Sequence, residues 1–107
     1  GKPQLVTGAP GGSRIITTVL QVIVNNLDFG QPIADAVAAP RVHHQWRPDE
    51  TLVERTLPAA TIRALEKRGH QVEVGSLFGS AHSIAVTPKG IVGAADPRAR
   101  DSLAVGF

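Results

Sequence analysis

A chain of 107 residues with 42% hydrophobic content makes one packed domain or a piece of one, and its net charge of +2 comes from interspersed acids and bases. Three Phe, one Trp and no Tyr leave almost no platform for stacking bases, which argues against nucleic-acid binding despite the basic pI. Cys is absent, which excludes disulfides and thiol catalysis, and no apolar run approaches the roughly 20 residues that span a bilayer.

The stretch Leu5-Val6-Thr7-Gly8-Ala9-Pro10-Gly11-Gly12-Ser13-Arg14-Ile15-Ile16 reads as a short apolar strand, a glycine-rich turn and the start of a helix. Such a turn aims backbone N–H groups forward, and the helix dipole adds positive potential. The product is a pocket for a phosphate, a carboxylate or the oxyanion of an acyl transfer. No Lys follows Gly11 or Gly12 as a P-loop requires, and Gly8, Gly11 and Gly12 do not spell G-x-G-x-x-G. On these residues alone, a plain strand-to-helix turn is equally open.

A helix is expected from about Arg14 to Phe29, with Ser13 as N-cap and Gly30 at C′. Ile15, Ile16, Val19, Leu20, Val22, Ile23, Val24 and Leu27 cover more than one stripe. This predicts burial around most of the circumference, with Thr18, Gln21 and Asn25 on the less buried side. A second helix opens at Gln31-Pro32-Ile33, turns Ile33, Ala36 and Val37 inward, and is stopped by Pro40.

His43 to Glu50 reads as a loop. Adjacent histidines on extended chain point apart, and no third ligand has regular spacing, so His43 and His44 are expected to hydrogen-bond locally while Trp46 caps an apolar edge. Thr51 to Arg55 is a short strand, and Pro58 opens a third helix that ends at Gly69, with Ile62 and Leu65 inward and Glu66, Lys67 and Arg68 solvated. Val72 and Val74 mark a half-buried strand. Ser80 to Thr87 and Ile91 to Ala95 flank Pro88-Lys89-Gly90 and form a hairpin. The small residues Ala85, Gly93, Ala94 and Ala95 suit a sheet covered closely by something else. The class is α/β in the broad sense (α+β), a mostly antiparallel sheet with covering helices.

Candidate catalysts are few. Ser13 lies on a turn, but Gly-Gly-Ser-Arg is not the G-x-S-x-G elbow, and a capping role is simpler. His82 could act as a base, with no partner identifiable from sequence. Asp96-Pro97-Arg98 resembles a turn held by an Asp–Arg pair. No Thr stands at the N-terminus to use its own α-amino group as base. An oxyanion pocket without an attacking group makes sense when the attacker belongs to a missing part of the protein. The chain has no Met and begins at Gly1, as expected either of a piece cut from a larger protein or of a chain from which a tag was removed.

Three blocks together carry a resemblance. Leu5 to Thr18, Ala39-Pro40-Arg41-Val42-His43-His44-Gln45-Trp46 and Gly93-Ala94-Ala95-Asp96-Pro97-Arg98 are similar, in order, to segments of the γ-glutamyltransferases (γ-glutamyltranspeptidases). The resemblance implies part of an αββα N-terminal-nucleophile hydrolase sandwich, residues 1–107 being one C-terminal portion of the small subunit. It implies a self-cleaving precursor whose new N-terminal Thr, upstream of this chain, attacks glutathione or another γ-glutamyl donor. The acyl group then passes to water, an amino acid or a peptide. The family's oxyanion hole maps onto the backbone N–H groups of Gly11 and Gly12, which are therefore the catalytic and substrate-binding residues expected here.

The resemblance further implies no metal or organic cofactor. The partners it implies are the rest of the small subunit and the large subunit, and although the sequence itself leaves the compartment unknown, the resemblance suggests a periplasmic or secreted one. Trp46 and Arg98 are expected to be structural anchors. Two alternatives are a related cephalosporin or glutaryl acylase, and a non-enzymatic anion-binding or interaction module.

Overall fold

In the computed structural model, which describes residues 1–106, the elements in chain order are β1 (Leu5–Gly8), α1 (Arg14–Ile23), a π-helical turn (Val24–Asp28), α2 (Ile33–Ala38), β2 (Val42–His43), β3 (Thr51–Glu54), α3 (Ala59–Lys67), β4 (Val72–Gly75), β5 (His82–Thr87) and β6 (Gly90–Ala94). They divide into two compact units: residues 1–39 with the segment from Gly79 onward, and residues 40–78.

The first unit holds an antiparallel sheet of order β1-β5-β6. Val6 faces Ile84, Gly8 faces His82, and Thr87 pairs with Gly90 across the two-residue turn Pro88-Lys89. Alternation sends Ser83 and Ala85 to the buried face and Ile84 and Val86 outward. The core beneath is Val22, Ile33, Val37, Ala81, Ala85 and Ala94, with Leu5 and Ala9 packed against it. Each fully buried Val or Ile there contributes about 1.5–3 kcal/mol. Ala85 and Ala94 are small at the face that receives the helices, as expected. The opposite face is approached closely at Gly93, where a Cβ would stand 3.2 Å from the Ala104 methyl.

Helix α1 departs from expectation in two ways. Its last turns are π-helical, closing on Gly30 at φ +67, with Gln31 N–H bonded to the Asn25 carbonyl at 2.9 Å as in a glycine C-cap. Its burial also departs from the sequence reading, at Thr18 and along most of the apolar stripe, while Val22 is buried and Gln21 and Asn25 are half-buried. Thr18 and Val22 are the buried residues, whereas Ile16, Leu20, Ile23 and Leu27 are exposed. Among the described residues, the helix lies on the sheet by one face, and its most apolar stripe is left uncovered. The Thr18 hydroxyl is buried with no hydrogen-bond partner among the described residues.

α2 matches its expectation, starting after Pro32 and burying Ile33, Ala36 and Val37. Its C-terminal carbonyls, which no helical amide can satisfy, are taken up by Arg98. The guanidinium donates to Val37 O at 2.9 Å and Ala39 O at 2.8 Å. Asp96 completes the clamp. One oxygen accepts from Ala81 N–H at 2.7 Å, the other from Arg98 N–H at 2.9 Å and Nη1 at 3.2 Å. Arg98 is thus the anchor the sequence suggested, and Asp96-Pro97-Arg98 a structural turn.

The second unit was not foreseen as separate. Its sheet has the order β2-β3-β4, with β2 antiparallel and β4 parallel to β3, the parallel pair being joined through α3. This is the one parallel pairing in an otherwise antiparallel set among the described residues. Ile62 and Leu65 of α3 are half-buried, and Glu66, Lys67 and Arg68 are exposed as expected. Glu54 is fully buried at the end of β3. Its two carboxylate oxygens accept the backbone N–H groups of Arg41 at 3.0 Å and Phe78 at 2.9 Å, and the Arg41 guanidinium donates to Phe78 O at 3.0 Å.

Candidate functional site

The glycine-rich turn begins where the β1 ladder ends, at Gly8 opposite His82. Gly11 and Gly12 take φ +128 and +61. No atom lies within 4 Å of a Cβ built on either residue, so backbone conformation, not space, demands glycine. Their carbonyls start α1, accepting Arg14 N–H at 3.3 Å and Ile15 N–H at 3.1 Å. Their own N–H groups donate to no acceptor among the described residues. Two consecutive amides are therefore left over at the positive end of a ten-residue helix.

Ser13 does not cap with its hydroxyl. It is already helical at φ −61 and ψ −24, and no side-chain cap bond forms. The turn itself, with the Gly11 and Gly12 carbonyls, begins the helix instead. On the strand side, Thr7 Oγ1 and Ser83 Oγ share a hydrogen bond of 2.8 Å. Sequence reasoning missed this pair. Its only signal is a hydroxyl at a buried position in the alternation of β5.

The other candidate side chains are used in local hydrogen bonds. His82 is exposed on β5, with Ser80 Oγ 3.3 Å from its Nε2 and, among the described residues, no carboxylate completing a triad. His43 Nε2 meets Gln45 Oε1 at 2.9 Å, and His44 Nε2 meets Asp49 Oδ1 at 3.2 Å, the local bonding expected. Trp46 corrects the sequence reading. It caps no apolar edge, being 75% exposed at φ +72 with the Arg47 guanidinium 5.2 Å from its ring centroid. The loop bonds that turn it outward run from Trp46 N–H to His44 Nδ1 and from Gln45 Nε2 to Arg47 O. Among the described residues no helix is long and apolar enough to cross a membrane.

Comparison with known proteins decides the family. The gamma-glutamyltranspeptidase family model matches residues 1–106. The chain belongs to the γ-glutamyltranspeptidase family. Its similarity to the glutathione hydrolase proenzyme of Escherichia coli K12 is 52% identity over 100% of this chain and 19% of that protein. A solved acivicin-inhibited gamma-glutamyltranspeptidase is 48% identical, with a TM-score of 0.83 over 91% of this chain and 54% of its own. The cephalosporin acylase of Bacillus halodurans is 32% identical, with a TM-score of 0.78 over 86% of this chain and 18% of its own. The γ-glutamyltranspeptidase chain described here thus spans about one fifth of the E. coli relative. Its mixed, mostly antiparallel fold is that of the family's N-terminal-nucleophile hydrolase structures.

Proposed function

We propose that this chain is the C-terminal part of the small subunit of a γ-glutamyltransferase, and that Gly11 and Gly12 are its oxyanion hole. The reading is carried by two consecutive glycine amides, unused within the described residues, at the start of α1. The donor is glutathione or a related γ-glutamyl amide. An N-terminal Thr elsewhere in the precursor attacks the γ-carbonyl carbon, its proton passing to its own α-amino group. The carbonyl π electrons move onto oxygen, and that oxygen accepts hydrogen bonds from Gly11 N–H and Gly12 N–H. Collapse expels the amine, which takes the proton, and leaves a γ-glutamyl ester on the Thr. Water or an amino group then attacks the ester through the same pocket.

Each oxyanion donor is worth about 3 kcal/mol, or 10²–10³ in kcat. The test is release of chromophore from a γ-glutamyl anilide by the complete processed enzyme. Gly12→Pro removes the N–H and is incompatible with φ +61, so kcat should fall by at least about 10². Gly12→Ala keeps the N–H and carries only the left-handed strain of about 1–2 kcal/mol, so it should retain far more activity. Equal activity in Gly12→Pro and the wild type defeats the assignment.

A second reading, a cephalosporin-type acylase, is favoured by the likeness to the B. halodurans structure. A γ-glutamyl anilide and a cephalosporin offered side by side to the complete enzyme separate the two. A non-enzymatic module would instead bind inorganic phosphate or a carboxylate as the chain alone.

A further inference from the structure

The turn that carries Gly11 and Gly12 is anchored chiefly through its two ends. Both glycines are exposed, and nothing within 4 Å would touch a side chain there. Its exit is fixed by the Arg14 and Ile15 amides, and Ala9 packs on the core. Its entry is fixed by β1, a four-residue strand that among the described residues pairs with β5 alone. The last two ladder pairs before the turn are Thr7 with Ser83 and Gly8 with His82. Gly8 brings no side chain, so among the described residues the side-chain tie across those two pairs is the 2.8 Å bond between the Thr7 and Ser83 hydroxyls. Ser83 is buried, so water does not compete freely for its hydroxyl.

We infer that Thr7 and Ser83 are positioning residues for the oxyanion donors. They lock the end of β1 in register on β5, and so set where the amides of Gly11 and Gly12 point. The inference rests on the oxyanion reading above. Its chemical logic is that a donor aimed at a developing charge loses its effect when displaced. A misplacement of roughly 1 Å can cost about 10²-fold in rate. A tie that acts on the transition state alone appears in kcat and leaves substrate affinity unchanged.

The experiment uses the complete processed enzyme, with rates normalised to titrated active sites. Thr7→Val keeps the β-branched shape and removes the hydroxyl. Its kcat should fall about tenfold or more, with KM unchanged to within about twofold. Thr7→Ser, which restores the hydroxyl, should recover kcat to within about threefold of wild type. Ser83→Ala should match Thr7→Val, and the double variant should be no worse than either single one, because the pair acts as a unit.

The thermal midpoint of each variant separates folding from positioning. If Thr7→Val lowers the midpoint but leaves kcat per titrated site unchanged, the pair is structural and the inference is wrong. Failure of Thr7→Ser to rescue, or additive losses in the double variant, also overturns it. Gly12→Pro in the same assay keeps the two ideas apart. Loss of activity there with an unaffected Thr7→Val sinks the positioning role alone. Retained activity in Gly12→Pro sinks the oxyanion reading and this inference with it.

Discussion

Asp96→Ala should be among the most destabilising single changes in the first unit. It removes the acceptor of three hydrogen bonds, from Ala81 N–H at 2.7 Å, Arg98 N–H at 2.9 Å and Arg98 Nη1 at 3.2 Å. It also strands a guanidinium whose side chain is only 5% exposed. Removing one partner of a buried ion pair costs about 3–5 kcal/mol, and an orphaned buried N–H about 1–3 kcal/mol. These overlap, since the same carboxylate serves both. The Val37 and Ala39 carbonyls also continue to receive Arg98. The expected loss is therefore about 4 kcal/mol, a large share of the roughly 5–15 kcal/mol that holds a domain folded. Asp96→Asn keeps one accepting oxygen and should lose about half as much. Urea unfolding of the complete protein, with the midpoint and its slope fitted together, measures both. Arg98→Met and the double variant complete a cycle. Their losses should fall short of additive by about 1–3 kcal/mol. A loss under about 1 kcal/mol for Asp96→Ala, the size of an ordinary surface change, would refute the clamp as a source of stability.

Four smaller outcomes are expected. Thr18→Val replaces a buried, unpartnered hydroxyl with a methyl of similar shape, and should raise stability by about 1 kcal/mol in the same urea assay. Gly30→Ala forces a side chain into φ +67 and should cost about 1–2 kcal/mol, with Gly30→Asn costing less. Trp46→Ala should shift stability by no more than about 0.5 kcal/mol, since the ring is 75% exposed. The 107-residue chain by itself should release no chromophore from a γ-glutamyl anilide, and measurable turnover by it would contradict the need for a Thr supplied elsewhere.

What was legible in the sequence followed local rules. Pro32 and Pro40 bracket α2, and Pro88-Lys89 closes the β5–β6 hairpin, because proline and turn chemistry act within a few residues. Gly11, Gly12 and Gly30 announced positive φ for the same reason. Burial of α1 was not legible, because hydrophobicity records a preference for cover without saying which chain provides it. Ile16, Leu20, Ile23 and Leu27 are exposed in this chain, while Thr18 faces its core. The buried Glu54 and Arg41 were invisible because charged side chains are rarely buried unless paired, and their partners are far away in sequence. The parallel β3–β4 pairing depends on a crossover whose helix buries no residue fully, so periodicity alone did not reveal it. At the site, the glycines were legible and the Thr7–Ser83 tie was not, since a hydroxyl in a strand reads as solvent-facing until register is known.

The Glu54 carboxylate has a consequence for how this sequence can change over time. One carboxylate holds the amides of Arg41 and Phe78, near the first and last positions of the second unit. A segment whose ends are gripped by a single side chain leaves and returns at one place. Its interior can lengthen, shorten or be exchanged for another lineage's version without altering the span that the flanking chain must bridge. Inheritance can therefore treat residues 40–78 as a cassette, with Glu54 as the latch that any replacement has to reproduce.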